Sequence, residues 1–170
     1  MRCHSSANLL ICRLIPSERE RMFLFMHEAV KRDPRGQGER GEMIAALWFA
    51  ERGASVFPPL FHTSRDFDFI IDWERGPERV QVKTSTVFRN GRWDVTVCTR
   101  GGNQSWNGVV KRLDPARYEL LFVVVGDGRR WLIPADQVAG GSSVRLGGPK
   151  YAAWEIDRGR PLIEADSSLH

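Results

Sequence analysis

Val80-Gln81-Val82-Lys83-Thr84 alternates apolar and polar residues, the period of a half-buried strand. Val80 and Val82 fall on one face, Gln81 and Lys83 on the other. A lysine in mid-strand between two valines is uncommon on structural grounds. Only four of the 25 cationic side chains are lysines (Lys31, Lys83, Lys111 and Lys150), and arginine serves everywhere else. Lys83 therefore points to what an ammonium alone does: a compact point charge that sheds its proton when desolvated. An edge strand with its polar face in water would carry the same pattern.

Working upstream, Phe67-Asp68-Phe69-Ile70-Ile71 reads as a second strand, with Asp68 and Ile70 sharing a face. Residues 72–78 between the two strands hold a Gly-Pro turn signal. A hairpin folded about Arg75 and Gly76 sets Asp68 opposite Lys83 and Ile70 opposite Gln81. Cross-strand neighbours on one face lie roughly 5 Å apart. A one-residue slip would move Asp68 to the other face. In this register one pocket collects a carboxylate, an amide and an ammonium. The plain alternative is a cross-strand Asp–Lys ion pair, worth under about 1 kcal/mol.

Earlier still, residues 41–53 read as a helix closed by Gly53 at its C-terminal cap. Glu42 stands at the spacing of Ala45, Ala46 and Phe49, an apolar face expected to pack on the sheet and to draw the Glu42 carboxylate toward the core. A glutamate near a helix N-terminus also suits the macrodipole.

These motifs, in this order, resemble the PD-(D/E)XK nuclease superfamily. More narrowly, Gly38-Glu39-Arg40-Gly41-Glu42, Phe67-Asp68 and Val80-Gln81-Val82-Lys83-Thr84 resemble the branch of group I intron-encoded homing endonucleases, which is related to archaeal Holliday-junction resolvases. Leu121-Phe122-Val123, Trp131-Leu132-Ile133-Pro134-Ala135 and Gly147-Gly148-Pro149-Lys150-Tyr151 extend the resemblance over about residues 38–157. Gln81 stands where most of the superfamily carries Asp or Glu, and Gln is familiar there in the intron-endonuclease branch. The resemblance implies an α/β fold with a restriction-endonuclease-like core, a central mixed β-sheet flanked by helices. It implies Mg²⁺-dependent cleavage of DNA, with Mn²⁺ as a substitute. Asp68 would be the principal metal ligand, the Gln81 oxygen the second, and Glu42 a ligand to a further metal or to a metal water. Lys83 would orient or deprotonate the attacking water, and Thr84 would hydrogen-bond within the pocket. With Gln at 81 the pair presents one negative charge where two acids would present two, so metal affinity should be weaker.

Composition bounds this reading. At 170 residues the chain suits one domain with a substantial core. Three cysteines, Cys3, Cys12 and Cys98, are too few and too scattered for a disulfide framework or a zinc site, and a reducing cytoplasm fits. The net charge of +4 is compatible with a polyanionic partner. The run Leu9-Leu10-Ile11-Cys12, ended by Arg13, is too short for a membrane span and lacks a signal-peptide cleavage pattern. It reads as a leader or an overextended translation start.

Ser17-Glu18-Arg19-Glu20 is a capping-box pattern, and Met22, Phe25, Met26, Ala29 and Val30 follow as an apolar stripe, a packing helix ending before Asp33-Pro34. Residues 34–41 are Gly-rich and charged, a linker into the Glu42 helix. The chain thus divides into a leader plus amphipathic helix (1–36), the nuclease-like domain (37–158) and a flexible tail (159–170). Ser55-Val56-Phe57 is a brief strand stopped by Pro58-Pro59, and His62 and Arg65 sit in the loop that follows. Asn90-Gly91 marks a hairpin leading into a third antiparallel strand with Trp93, Val95 and Val97 on one side. Arg100, Asn103, Trp106, Lys111 and Arg112 form a basic, amide-rich, irregular stretch suited to nucleic-acid backbone contact and base stacking, or to a plain surface loop. Asp114-Pro115 caps a short helix, Leu120–Val125 is a strand buried on both faces, and Gly126-Asp127-Gly128 turns it into Arg130-Trp131-Leu132-Ile133.

DNA is the expected partner. One site cuts one strand, so double-strand cleavage requires a homodimer or a higher even oligomer. A junction resolvase and a nuclease-like fold that binds DNA without cutting it are the competing readings.

Overall fold

The computed structural model describes residues 34–59, 67–100, 110–138 and 140–162. The chain divides into two units, Met1–Pro34 and Arg35–His170. The expected leader and the 17–32 helix belong to the first and lie outside the described residues, as do His62, Arg65 and 163–170.

Helix α1 spans Pro34–Glu51, so the expected Gly-rich linker over 34–41 is instead its first two turns. Pro34 opens it at a position where the missing N–H would have found no partner. Glycine is a poor helix former, and contacts with the sheet outweigh that preference here. Gly41 rests directly on Thr84 and Val82, and Gln37 Nε2 donates to Thr84 Oγ1 at 3.1 Å. At the far end Gly53 takes φ +88°, with Gly53 N donating to Ala50 O (3.0 Å) and Ala54 N to Phe49 O (3.1 Å). That double closure is a Schellman cap, as the glycine predicted.

Eleven strands follow among the described residues: β1 (Ser55–Phe57), β2 (Phe69–Asp72), β3 (Pro77–Ser85), β4 (Phe88–Arg89), β5 (Arg92–Thr96), β6 (Cys98–Arg100), β7 (Val110–Arg112), β8 (Leu120–Val125), β9 (Arg129–Pro134), β10 (Ser143–Leu146) and β11 (Glu155–Arg158). Six form the central sheet in the order β1-β2-β3-β8-β9-β11. β3 and β8 run parallel and the other neighbours antiparallel, so the sheet is mixed, as expected.

Alternation along β3 and β8 sorts side chains onto two cores. Val80, Val82, Phe122 and Val124 meet Ala45, Trp48 and Phe49 of α1 on one face. Leu121, Val123 and Val125 face the other way, against Trp93, Val95, Val144, Leu146 and Tyr151. That second face is covered by a small antiparallel sheet, β10-β5-β4, so among the described residues one helix and one sheet flank the central layer. β5 is therefore not a third strand of the central sheet: it pairs with β10, Asp94 opposite Arg145. The Asn90-Gly91 turn is as read, both residues at positive φ (50° and 72°), a type I′ hairpin joining β4 and β5. Asp114 caps the short 3₁₀ turn Pro115–Arg117 by accepting from Ala116 N at 3.0 Å. Gly159 N and Leu162 N donate to Gly128 O (2.9 Å) and Gly126 O (3.0 Å), so the first residues of the expected tail are fastened to the β8–β9 turn. No helix among the described residues is long and apolar enough to cross a membrane.

Candidate active site

The β2–β3 hairpin pairs Phe69 with Val80 and Ile70 with Arg79. This is a two-residue shift from the expected register. The loop centres on Glu74 and Arg75, with Glu74 (φ 66°) and Gly76 (φ 111°) both left-handed and Gly76 N donating to Asp72 Oδ1. Because the shift is even, Asp68 keeps its face and comes opposite Gln81 rather than Lys83.

The local chemistry follows from where β2 stops. Asp68 N donates to Val80 O at 2.8 Å, a main-chain link just beyond the paired residues of β2. One step on, the Val82 N–H takes the Asp68 side chain, donating to Oδ2 at 2.6 Å. Gln81 Nε2 donates to the same Oδ2 at 2.5 Å and to Val82 O at 3.1 Å. The carboxylate thus closes the edge of β3 and is clasped by the amide beside it. Lys83, half-buried on the same face, lies close enough for its charge to act on Asp68. Burial pushes the Asp68 carboxyl above its ordinary range, against the pull of the Val82 N–H and the Lys83 charge. Two residues before Gln81 on β3, Arg79 meets Glu119, which shows the opposite balance: the hydrogen bonds from Arg79 hold the Glu119 carboxyl below the ordinary range.

The structure therefore brings together Asp68 and Gln81, with Lys83 beside them. Glu42 lies on α1 one residue past Gly41, whose contact with Thr84 sets the helix against the same strand. Its side chain is exposed. The expectation that it is drawn toward the core is corrected. The buried stripe of α1 runs through Gly41, Ala45, Trp48 and Phe49, which leaves Glu42 at its margin. Thr84 points to the helix side, where its hydroxyl accepts from Gln37, rather than into the Asp68 pocket.

Among the described residues no group of three or more His, Cys, Asp or Glu could hold a metal ion. A cation here would have to draw on one carboxylate and the Gln81 amide oxygen, both hard oxygen donors. That set suits Mg²⁺, which keeps several waters and needs one or two protein carboxylates.

Of the expected DNA contacts, Arg100, Lys111 and Arg112 lie on the β6–β7 hairpin, in which Arg100 pairs with Val110, Thr99 with Lys111 and Cys98 with Arg112. Asn103 and Trp106 lie outside the described residues. The sequence reading missed a second basic surface. On the small sheet Trp93, Val95, Val144 and Leu146 point to the core, so Arg89, Arg92, Asp94 and Arg145 point outward. Arg145 Nε pairs with Asp94 at 3.1 Å. The alternation about Trp93 was visible in sequence; the partner strand some 50 residues on, which brings Arg145 beside it, was not.

No known family's sequence profile matches the chain, and no curated protein sequence matches it. The mixed six-stranded sheet with its helix places the chain in the class of nuclease-like α/β folds. In particular it is similar to the solved structure of a bacterial homing endonuclease, I-Ssp6803I, with a TM-score of 0.61 over 70% of this chain and 86% of that one. At 19% sequence identity the likeness is one of fold.

Proposed function

We propose that this chain is a divalent-metal-dependent endonuclease that hydrolyses phosphodiester bonds in DNA. The observation that carries the reading is the Asp68–Gln81–Lys83 constellation at the edge of β3, in a fold similar to that of a homing endonuclease. Asp68 and Gln81 are the proposed ligands of Mg²⁺, or of Mn²⁺ in its place, with Glu42 as a further ligand from α1. Bound there, the cation would neutralise charge gathering on the phosphoryl oxygens and acidify a nearby water. Lys83 orients the attacking water and holds charge developing in the transition state. Water adds to phosphorus, one P–O ester bond breaks, and a phosphate and a hydroxyl end remain. The β6–β7 hairpin and the arginines of the small sheet supply phosphate contacts, which fix position without reading sequence.

The active form is proposed to be a homodimer or a higher even oligomer, because two sites of opposite polarity are needed to cut both strands. Met43 (72% exposed) and Leu47 (60%) form an apolar pair one turn apart on α1, available to such an interface. A cytoplasmic location completes the proposal.

The test is cleavage of linear duplex and of a four-way junction, with Mg²⁺ and with chelator. Cutting of duplex that stops on chelation is expected. Cutting of the junction alone would move the reading to a resolvase, and binding without cutting would remove the enzymatic assignment. Light scattering at working concentration tests the oligomer: a monomer that makes double-strand breaks at a rate first order in protein would exclude it.

A further inference from the structure

Gln81 is 4% exposed, and its amide has a definite orientation. Nε2 donates to Asp68 Oδ2 at 2.5 Å and to Val82 O at 3.1 Å. A main-chain carbonyl can only accept. Asp68 Oδ2 already accepts from Val82 N at 2.6 Å, so it offers lone pairs rather than a proton. Both neighbours therefore require the nitrogen end of the amide, and Oε1 faces away from Asp68. A cation held between Asp68 Oδ2 and Gln81 requires the reverse, with Oε1 toward that oxygen.

From this conflict we infer that the Gln81 amide is a two-position element: without a cation its NH₂ group lies against Asp68 Oδ2, and a cation binding at that oxygen turns it over. The inference rests on the proposed role of Asp68 and Gln81 as metal ligands and concerns how that site is controlled. The turn is a rotation of the terminal amide torsion, which is broad and roughly two-fold, so backbone and sheet register stay as they are. It exchanges the two hydrogen bonds for one oxygen ligand. Giving up a hydrogen bond to a charged group together with a neutral one weakens cation affinity on the order of thirtyfold to a thousandfold, relative to a site whose oxygens already face inward. In return the cation-free site is self-satisfied. The half-buried Asp68 always has a donor against it, and no second carboxylate repels it. A glutamate at 81 could not play both parts, since it has no hydrogen to give Asp68 when ionised. The cation-free site would then hold two carboxylates in contact, and only cation binding would relieve them.

The experiment follows the Gln81 side-chain amide resonances of the full chain, assigned through bonds, during titration with Mg²⁺ alone. Calorimetry records binding in parallel. In the cation-free protein the amide protons should exchange slowly with solvent. Saturating Mg²⁺ should speed that exchange at least about tenfold and move the resonances along the calorimetric isotherm. In Gln81→Glu, Mg²⁺ affinity should rise about tenfold or more, while the cation-free protein melts at a lower temperature than wild type. Mg²⁺ binding that is abolished in Asp68→Asn but leaves the Gln81 amide protected and unshifted would overturn this inference and leave the proposed site standing. Unchanged affinity in Gln81→Glu would do the same. Absence of any Mg²⁺ binding to wild type would overturn both.

Discussion

The two faces of β3 are built from the same few residues to opposite ends. Val80 and Val82 are buried beneath α1, among rings that meet edge to face: Trp48 and Phe49 with centroids 5.0 Å apart, Phe49 and Phe69 5.9 Å apart. One residue over, Gln81 and Lys83 stand with Asp68 in a site that keeps a carboxylate partly out of water against its preference. The apolar face derives stability from burial, and the polar face gives some of it up. A single strand thus carries the fold on one side and the Asp68–Gln81–Lys83 group on the other, and substitutions of these residues and of the apolar ones should separate cleanly.

The largest separation is expected at Asp68. Asp68→Asn should eliminate Mg²⁺-dependent cleavage, measured on plasmid DNA, and yet stabilise the protein at neutral pH. The folded carboxyl has a raised pKa, so the folded state holds its proton to a higher pH than the unfolded chain, whose ordinary value is 3.8. Stability carried by the protonated form is present below that value and is lost as pH rises through the raised one. Asparagine has no charge to bury, so its melting advantage should be largest at neutral pH and shrink as the pH falls toward 3.8. A variant that melts below wild type at neutral pH would mean that Asp68 is part of the scaffold.

Lys83→Ala should come next. General acid–base assistance is worth about 10²–10⁴-fold, so cleavage should fall by that order, with DNA binding held within about tenfold by phosphate contacts elsewhere. A collapse of binding would make Lys83 a DNA contact and merge the two faces' roles. On the apolar side Phe49→Ala should cost about 3–5 kcal/mol of unfolding free energy in denaturant titration. Any surviving folded fraction should still bind Mg²⁺.

A smaller effect probes the seam between helix and strand. A methyl at Gly41 would overlap Thr84 Cγ2, and overpacking of this kind costs about 1–3 kcal/mol. Thr84→Ser removes that carbon and keeps the hydroxyl that accepts from Gln37. Gly41→Ala should therefore be destabilising alone and largely restored in the double variant. Gly38, with open space around its Cα, is the control, since Gly38→Ala should be neutral or better. Failure of Thr84→Ser to rescue would show that α1 is not seated on β3 through this contact. The smallest effect is electrostatic: Arg89→Ala should lower the slope of log affinity against log salt by about one, uniformly across DNA sequences. An unchanged slope would remove the small sheet from the DNA-facing surface.

How much of this was legible in the sequence divides along the same lines. Period-2 alternation identified β3 and its two faces, and Asn90-Gly91 specified its turn, because those signals are local. The hairpin register was not legible: Gly76 advertised one left-handed residue, but the second is Glu74, which no sequence rule marks. Its error was even, so the grouping of Asp68 with Gln81 survived while the opposing partner changed. The helix start was misread because Gly36, Gly38 and Gly41 signal a linker by propensity, whereas Gly41 is there to admit Thr84. The departure of β5 from the central sheet depends on β10, a partner far along the chain, and no window of sequence contains both.

The far end of α1 carries one more implication. Asp157 Oδ2 accepts from Trp48 Nε1 at 2.7 Å and from Arg52 at 3.0 Å, while Oδ1 meets Arg130 at 3.4 Å. Trp48 and Asp157 are 109 positions apart. At about 5–20 residues per second of synthesis, the helix waits roughly 5–20 s for this anchor after its own residues are made. During that interval β2 and β3 already exist and offer Phe69, Ile71, Val80 and Val82 to Ala45, Trp48 and Phe49 of α1, beside the Gln37 and Gly41 contacts to Thr84, but the Asp157 anchor is missing. For a protein proposed to cut DNA, the consequence is an order of events: the helix that carries Glu42 is tied down at its C-terminal end only after Asp157 has been made.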